Sequence, residues 1–253
     1  ASGNTVQANA LQANLQKNQN KDQTIVLADE HLLIPVLNAI PDIKDYEKLN
    51  VSMGYPIKNT PVNQLVKYYF VLQRRKKMTR EITTDGVKRM ARGWYFWLVI
   101  RLMDLEIMKI AIPEKEIAAF DKWKKNEVNQ GKFIFEDTDF ESLKAMPNIC
   151  KFLKITLAEQ DPKTPIEMLH CIIQMLAFLI EIVNQKEEKN RYYFLLNQLS
   201  EVGKTIERLA QIVEDNKNYI KDLRSIEILY RLLSSSATVK LKGSGTDGLQ
   251  IMG

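Results

Sequence analysis

The 253-residue chain has few of the residues that build zinc or nucleophile sites, since it contains two cysteines and two histidines. Cys150 and Cys171 stand in apolar surroundings without a CxxC spacing, so we expect buried, reduced thiols, as in a cytosolic protein without disulfides. With only His31 and His170, neither a zinc site nor a His-based catalytic set is expected. His170 lies inside an apolar run and is predicted to be a core histidine.

Long hydrophobic runs are also missing. The most apolar stretch, residues 168–180, is interrupted by His170 and Gln174, and a membrane span needs roughly 20 apolar residues. We therefore predict a helix that is buried on most sides and no membrane partner. Residues 1–23 are polar and rich in Gln and Asn, without the apolar core of a signal peptide. These features favour a cytoplasmic location.

A phosphate-binding loop of the form GxxxxGK[ST], whose backbone N–H groups wrap phosphates, is absent from the sequence. The GKT triplet is Gly203-Lys204-Thr205, and Gln198 occupies the position where the first glycine is required. The surrounding apolar spacing is helical, so the N–H groups of the triplet are expected to be bonded within a helix. We predict neither an ATP site there nor any other bound cofactor.

Asp29 and Glu30 follow a β-like run and resemble the acidic pair with which a nucleic-acid motor holds Mg²⁺. No glycine-rich loop lies between Gly3 and this pair, however. The interpretation that we favour is a polar loop at the end of a strand. A carboxylate there would lie near the N-terminus of the next helix, where free N–H groups and the positive end of the helix dipole stabilise it.

A second acidic cluster lies within the stretch FEDTDFE, residues 135–141. Nuclease metal sites use such carboxylates, but they usually also need a lysine after an acidic strand. The interpretation that we favour is a loop that opens a helix, with Thr138 or Asp139 as the N-cap, so no metal site is predicted. The cluster consists of Glu136, Asp137, Asp139 and Glu141.

The apolar patterns indicate two kinds of structure along the chain. Residues 5–73 alternate between helix and strand, which predicts a small parallel α/β unit with Thr60 as the N-cap of a helix that has Pro61 in its first turn. The stretch from Gln73 to Gly93 is dense in charge, and beyond it the pattern is helical almost to residue 235. Helices with short links pack as antiparallel neighbours. A strand-like LQIM comes last and indicates that the sheet has further strands beyond it. The predicted fold is mostly α with a small α/β part.

The net charge is +5 and the pI about 9.0, which mildly favours an anionic partner. Cations are concentrated between residues 73 and 93, against only Glu81 and Asp85, and such clustering is typical of phosphate binding. Aromatic residues flank the stretch and are candidates for stacking on bases. They are Tyr68, Tyr69, Trp94, Tyr95 and Trp97. The alternative is a solvated surface connection with its aromatic rings in the core. The candidate nucleic-acid-binding residues are Arg74, Arg75, Lys76, Lys77 and Arg80, followed by Lys88, Arg89 and Arg92.

Three segments together, residues 24–41, 50–62 and 248–253, resemble the AddB-like helicase–nuclease proteins of Bacteroidetes, which are PD-(D/E)XK nuclease family members. The first segment contains Asp29 and Glu30. The most specific pattern is NxxMGYPxxNTP in the second segment. It is matched by Asn50, Met53, Gly54, Tyr55, Pro56, Asn59, Thr60 and Pro61.

The resemblance implies the second RecA-like domain of a UvrD-like motor. Residues 1–73 would begin a partial RecA-like parallel sheet, residues 74–236 would be a large inserted helical subdomain, and residues 237–253 would return a strand to the sheet. The first motor domain and the nuclease would lie outside this chain. Where active motors keep an arginine that senses the ATP phosphates, this chain has Ala28 and Asp29. RLMDLEIM, residues 101–108, also departs from the pattern LLNHPYI expected in the family.

These departures imply a part that does not hydrolyse ATP. We expect a non-catalytic, DNA-binding or scaffold fragment of a protein that processes DNA double-strand ends in recombinational repair. Its partners would be single-stranded DNA or a duplex end, and a helicase–nuclease subunit. The parent protein would be an exonuclease or helicase–nuclease subunit of the ATP-dependent type. The alternative is a helical protein–protein interaction module without a DNA role.

Overall fold

The computed structural model describes residues 10–11, 13, 24–27, 32–33, 36, 49–75, 78–84, 87–158, 164–186, 192–241 and 249–252. Over these residues the chain is mostly helical, as predicted, and it contains two small sheets. Predictions that concern Asp29, Glu30, His31, Lys76 and Lys77 lie outside the described residues.

The strands are β1 (Thr24–Val26), β2 (Leu49–Pro56), β3 (Met78–Thr84), β4 (Val87–Tyr95), β5 (Ile134–Phe135), β6 (Thr238–Leu241) and β7 (Leu249–Met252). The helices are α1 (Pro61–Arg75), α2 (Phe96–Met103), α3 (Glu106–Ala111), α4 (Glu114–Asn129), the single turn α5 (Asp139–Ser142), α6 (Pro147–Leu153), α7 (Pro165–Asn184), α8 (Tyr193–Asp215) and α9 (Leu223–Ser236). A 3-10 turn, Ile57–Asn59, precedes α1, and a π-helical segment, Lys154–Ala158, follows α6.

The first sheet has the strand order β1-β7-β2-β6. β7 lies between β1 and β2 and is parallel to both, with Ile251 opposite Ile25 on one side and Val51 on the other. β6 runs antiparallel to β2, so the sheet is mixed. β1 and β2 are thus joined through a strand that follows them by about two hundred residues in sequence, and they do not pair with each other. A RecA-like parallel sheet is not shown, and that assignment stays a prediction from the resemblance.

The second sheet lies within residues 74–236, which the resemblance implied to be an inserted helical subdomain, so that part of the chain is not wholly helical. β3, β4 and β5 form an antiparallel sheet in that order. Thr84 pairs with Val87, which leaves only Asp85 and Gly86 between the two strands. Asp-Gly is among the pairs most favoured in two-residue hairpin connections, because both positions need a positive φ. This turn signal and the β-branched residues of β3 outweigh the local density of charge.

Helix α1 begins as predicted, with Thr60 as its N-cap. The backbone N–H of Asn63 donates to Thr60 Oγ1 at 3.1 Å, and the Thr60 hydroxyl donates to the Ile57 carbonyl at 2.8 Å. Helix α7 likewise begins behind Thr164, in a reciprocal capping box with Glu167. Helix α4 has Pro113 as its N-cap.

Helix α7 is long and apolar enough to cross a membrane by length and composition alone, and it is packed in the core. Its buried residues include Leu169, Ile172 and Leu179, as the prediction of a buried helix requires. His170 is exposed, contrary to the prediction of a core histidine. It shares the solvent side of α7 with Gln174, because these two positions are one turn apart.

Helix α8 lies against α7 and contains the apolar stripe predicted for it, and the stripe is buried. The Gly203-Lys204-Thr205 triplet lies inside α8, as predicted, where Thr205 Oγ1 donates to the Glu201 carbonyl at 2.9 Å. Cys150 and Cys171 are buried thiols that do not form a disulfide, as expected. The buried stripe consists of Leu195, Leu199, Val202, Ile206, Leu209 and Val213.

Candidate nucleic-acid interface

Arg74, the first of the predicted phosphate-binding cations, is half exposed and forms an ion pair with a carboxylate of α9. Its Nη1 lies 3.5 Å from Oε2 of Glu227, whose side chain is only 11% exposed. Arg231, one turn further along α9, donates from Nη2 to Oε1 of the same carboxylate at 2.6 Å. The ion pair joins the end of α1 to α9, so Arg74 has a structural role in the folded chain.

Arg75 and Arg80 are exposed, and they stand on different elements. Arg75 is the last residue of α1, where the helix dipole favours a cation. Arg80 is on β3, with its guanidinium carbon 4.1 Å from the centroid of the Phe133 ring. Lys76 and Lys77 lie outside the described residues, so the structure does not test whether the five predicted cations meet as one surface.

The β3–β4 hairpin separates its side chains onto two faces. Because residues directly opposite each other in an antiparallel pair share a face, Thr79 and Glu81 of β3 lie with Arg92 and Met90 of β4, respectively. Arg80 is opposite Ala91 and belongs to the other face. Lys88, Met90 and Arg92 are exposed, and we call these three residues the Met90 face.

Only one end of the hairpin is joined to β5. Trp94 and Tyr95 of β4 pair with Phe135 and Ile134, whereas the residue pairs from Gly93–Met78 to Val87–Thr84 belong to β3 and β4 alone. Six residue steps of about 3.3 Å make this two-stranded part roughly 20 Å long. On the Met90 face, Lys88 Nζ pairs with Glu81 Oε1 at 2.9 Å, and both side chains are largely exposed. Such an exposed pair is screened by water and contributes little to stability.

The aromatic residues predicted to stack on bases are mostly placed elsewhere. Tyr69 and Trp94 are buried, and Trp94 Nε1 donates to the Leu157 carbonyl at 3.1 Å. Tyr95 is partly buried and packs edge-on against Phe133 at a centroid distance of 4.9 Å. For Tyr69 and Trp94 the alternative of aromatic rings in the core is therefore correct. Trp97 is exposed.

The acidic cluster around Asp139 is organised by a lysine. Lys132 Nζ donates to Asp139 Oδ1 and, at 2.7 Å, to Glu127 Oε2, while the Glu136 N–H donates to Asp139 Oδ2 at 2.7 Å. Burial lowers the pKa of Lys132, but hydrogen bonds to Asp139 and Glu127 outweigh it and leave the pKa raised. Among the described residues no group of His, Cys, Asp or Glu is arranged to hold a metal ion. Thr138 is the N-cap of α5, one of the two predicted alternatives, although its side chain makes no capping hydrogen bond.

The NxxMGYPxxNTP residues connect β2 to α1. Tyr55 packs edge-on against Phe194 of α8 at 5.8 Å, and Pro56 is buried. Thr60 and Pro61 begin α1, next to the buried Asn63, whose Nδ2 donates to the Lys58 carbonyl at 2.8 Å. Asn50, Met53 and Gly54 are in β2, and Asn59 ends the 3-10 turn.

Comparison with known proteins does not identify a family for this chain. A scan against protein-family models finds no matching family, and a search of the curated proteins finds no match. Lys88 and Arg92 were predicted within the basic stretch, and Met90 was not among the candidate residues. The sequence signal for a hairpin there is the Asp85-Gly86 pair.

Proposed function

We propose that this chain is a non-catalytic, DNA-contacting part of an AddB-like helicase–nuclease that processes DNA double-strand ends in recombinational repair. The family assignment rests on the three segments quoted above. The DNA role is supported by one observation: exposed cations stand at the end of α1 and on both faces of a hairpin that is joined to β5 at one end. A parent protein of this kind would act in the cytoplasm with a helicase–nuclease partner subunit.

The charge distribution of the hairpin supports an anionic ligand. Arg80 is exposed on one face and Lys88 and Arg92 on the other, with Glu81 as the described carboxylate among them. Neutralising backbone phosphates with such cations releases counterions. Binding to DNA should therefore weaken steeply as salt is added.

The test measures DNA binding by fluorescence anisotropy between about 50 and 200 mM salt. The logarithm of the affinity of the wild-type chain is expected to fall linearly with the logarithm of salt concentration. Arg75→Ala and Arg80→Ala should each make the slope shallower by about one, because each removes one phosphate contact. Arg208→Ala, at an exposed position of α8, is the matched control and should keep the wild-type slope.

Two outcomes would overturn the proposal. One is a wild-type chain whose DNA binding does not respond to salt. The other is an equal slope for the wild-type, Arg75→Ala and Arg80→Ala proteins.

A second candidate, a helical protein–protein interaction module without a DNA role, is favoured by an apolar pair on α9. Ile228 and Leu232 are one turn apart and both exposed, Leu232 by 62%. This candidate predicts salt slopes that are insensitive to the basic stretch. It also predicts concentration-dependent self-association, measured by sedimentation, that Leu232→Glu abolishes.

A further inference from the structure

The Met90 face places an exposed apolar side chain between two cations. Met90 is 64% exposed, although its neighbour Ala91 is fully buried. Lys88 and Arg92 precede and follow it by two residues, which on a strand puts all three side chains on the same side. Thr79 and Glu81 of β3 lie opposite Arg92 and Met90. The face is therefore polar and cationic around one methionine, which is exposed and does not pack in the core.

The shape of the hairpin fits a groove of duplex DNA. The major groove of B-DNA is about 12 Å wide and admits a two-stranded ribbon that lies along it. Lys88 and Arg92 are four residues apart, about 13 Å along the strand, so a ribbon in this orientation would bring both cations to phosphates along the edge of the groove. Met90, between them, would point at the base edges. An apolar side chain at that place contacts the methyl group of thymine.

Glu81 is the one described carboxylate on this face, and Lys88 already holds it. Lys88, Arg92 and Glu81 together leave this face with a net charge of +1. The hairpin is also long enough to extend into the groove. Its two-stranded part is roughly 20 Å long and is joined to β5 at one end.

We propose that the Met90 face of the β3–β4 hairpin enters the major groove of duplex DNA, with Lys88 and Arg92 on phosphates and Met90 against the base edges. This inference rests on the proposed DNA role and names the DNA form and the contacting face. It assigns Met90 to sequence-sensitive contact and the two cations to positioning.

The experiment compares Met90→Ala and Arg92→Ala in anisotropy assays with a short AT-rich duplex and with its single strand. Met90→Ala should weaken duplex binding by about fivefold to tenfold through the lost base-edge contact, and it should leave single-strand binding unchanged. Arg92→Ala should make the duplex salt slope shallower by about one. Met90→Leu retains an apolar side chain and should restore duplex binding. Leu232→Ala, at a residue exposed to the same degree, and Arg208→Ala are the matched controls.

Competition identifies the groove. Methyl green, which occupies the major groove, should displace the wild-type chain, and netropsin, which occupies the minor groove, should not. The inference is overturned if Met90→Ala binds duplex as the wild type does, if it loses duplex and single strand equally, or if netropsin alone displaces the chain. In these cases the wild type still binds DNA with a salt slope, so the proposed function survives. A wild-type chain without salt-dependent DNA binding overturns both.

Discussion

The carboxylate of Glu227 on α9 lies 3.5 Å from the guanidinium of Arg74 at the end of α1, and the two side chains differ in exposure, at 11% and 50%. Arg231 donates to the other carboxylate oxygen. A nearly buried acid is thereby shared by two arginines. The contact sets Arg74 apart from its neighbour Arg75, although the two are consecutive cations in the sequence.

Arg74→Ala is expected to lower stability and to leave the salt dependence of DNA binding almost unchanged. Glu227 would keep Arg231 as a partner, so the loss should be about 1 kcal/mol. Arg75→Ala should do the reverse, with unchanged stability and a shallower salt slope. Urea unfolding and anisotropy on the same samples measure the two effects. A shallower slope with unchanged stability for Arg74→Ala would show that Arg74 contacts DNA.

Tyr230→Phe is expected to reduce the loss of stability at alkaline pH. Tyr230 is buried, its hydroxyl donates to Asn63 Oδ1 at 2.7 Å, and burial raises its pKa. The unfolded chain releases this proton near pH 10 while the folded chain retains it. Stability is therefore complete below about pH 10 and falls as the pH rises above that value.

The Phe variant lacks this ionisation and should show a shallower decline in urea unfolding measured from neutral pH to above about pH 10. At neutral pH it should be about 1 kcal/mol less stable, because Asn63 loses a hydrogen-bond donor. Tyr219→Phe is the control, since Tyr219 is 87% exposed and should decline as the wild type does. Identical alkaline profiles for Tyr230→Phe and the wild type would contradict the prediction.

Lys132→Met is expected to destabilise the chain by about 3 kcal/mol, because it leaves two largely buried carboxylates without their cation. Lys132 joins Glu127 and Asp139, and none of the three side chains is exposed by more than 18%. Lys204→Met is the matched control. Lys204 pairs with Glu201 on the surface of α8, and its loss should cost less than about 1 kcal/mol. Equal losses in urea unfolding would show that burial does not strengthen the Lys132 contacts.

Gly93→Ala is expected to disrupt the pairing of β4 with β5. A Cβ at Gly93 would lie 2.0 Å from the Phe135 carbonyl oxygen, so backbone atoms must move. We expect a loss of about 2 kcal/mol or more, in the range of overpacked sites. Gly203→Ala is the opposite case, because nothing lies within 4 Å of its Cβ position inside α8. It should stabilise the helix by about 0.5–1 kcal/mol. Thermal unfolding that shifts both variants in the same direction would contradict the pair of predictions.

Helix starts were predictable because their signals are local. Thr60 and Thr164 each precede a proline and satisfy free N–H groups of the first turn, a contact that spans only three residues. The apolar stripe of α8 was predictable for the same reason, since its period depends on the helix alone. His170 was predicted wrongly because residues on both sides of it are apolar, while its own position faces away from the core.

Distant contacts were not predictable from the same patterns. No local pattern around Arg74 predicts its ion pair with Glu227, because Glu227 follows it by more than one hundred and fifty residues. The pairing of β7 with both β1 and β2 also joins residues that are far apart in sequence, so no local pattern predicts it. The Asp85-Gly86 pair is a local hairpin signal in the sequence, but the interpretation of this stretch rested on its dense charge.

The sequence by itself determined the mostly helical character, the helix caps, the two buried cysteines and the concentration of cations between residues 73 and 93. These depend on composition and on contacts within one turn. Only the tertiary structure decided which of those cations face solvent. Burial and pairing arise when separate elements pack, so Arg74 is held by Glu227, while Lys88 and Arg92 share a face with Met90 because β3 pairs with β4 in one register.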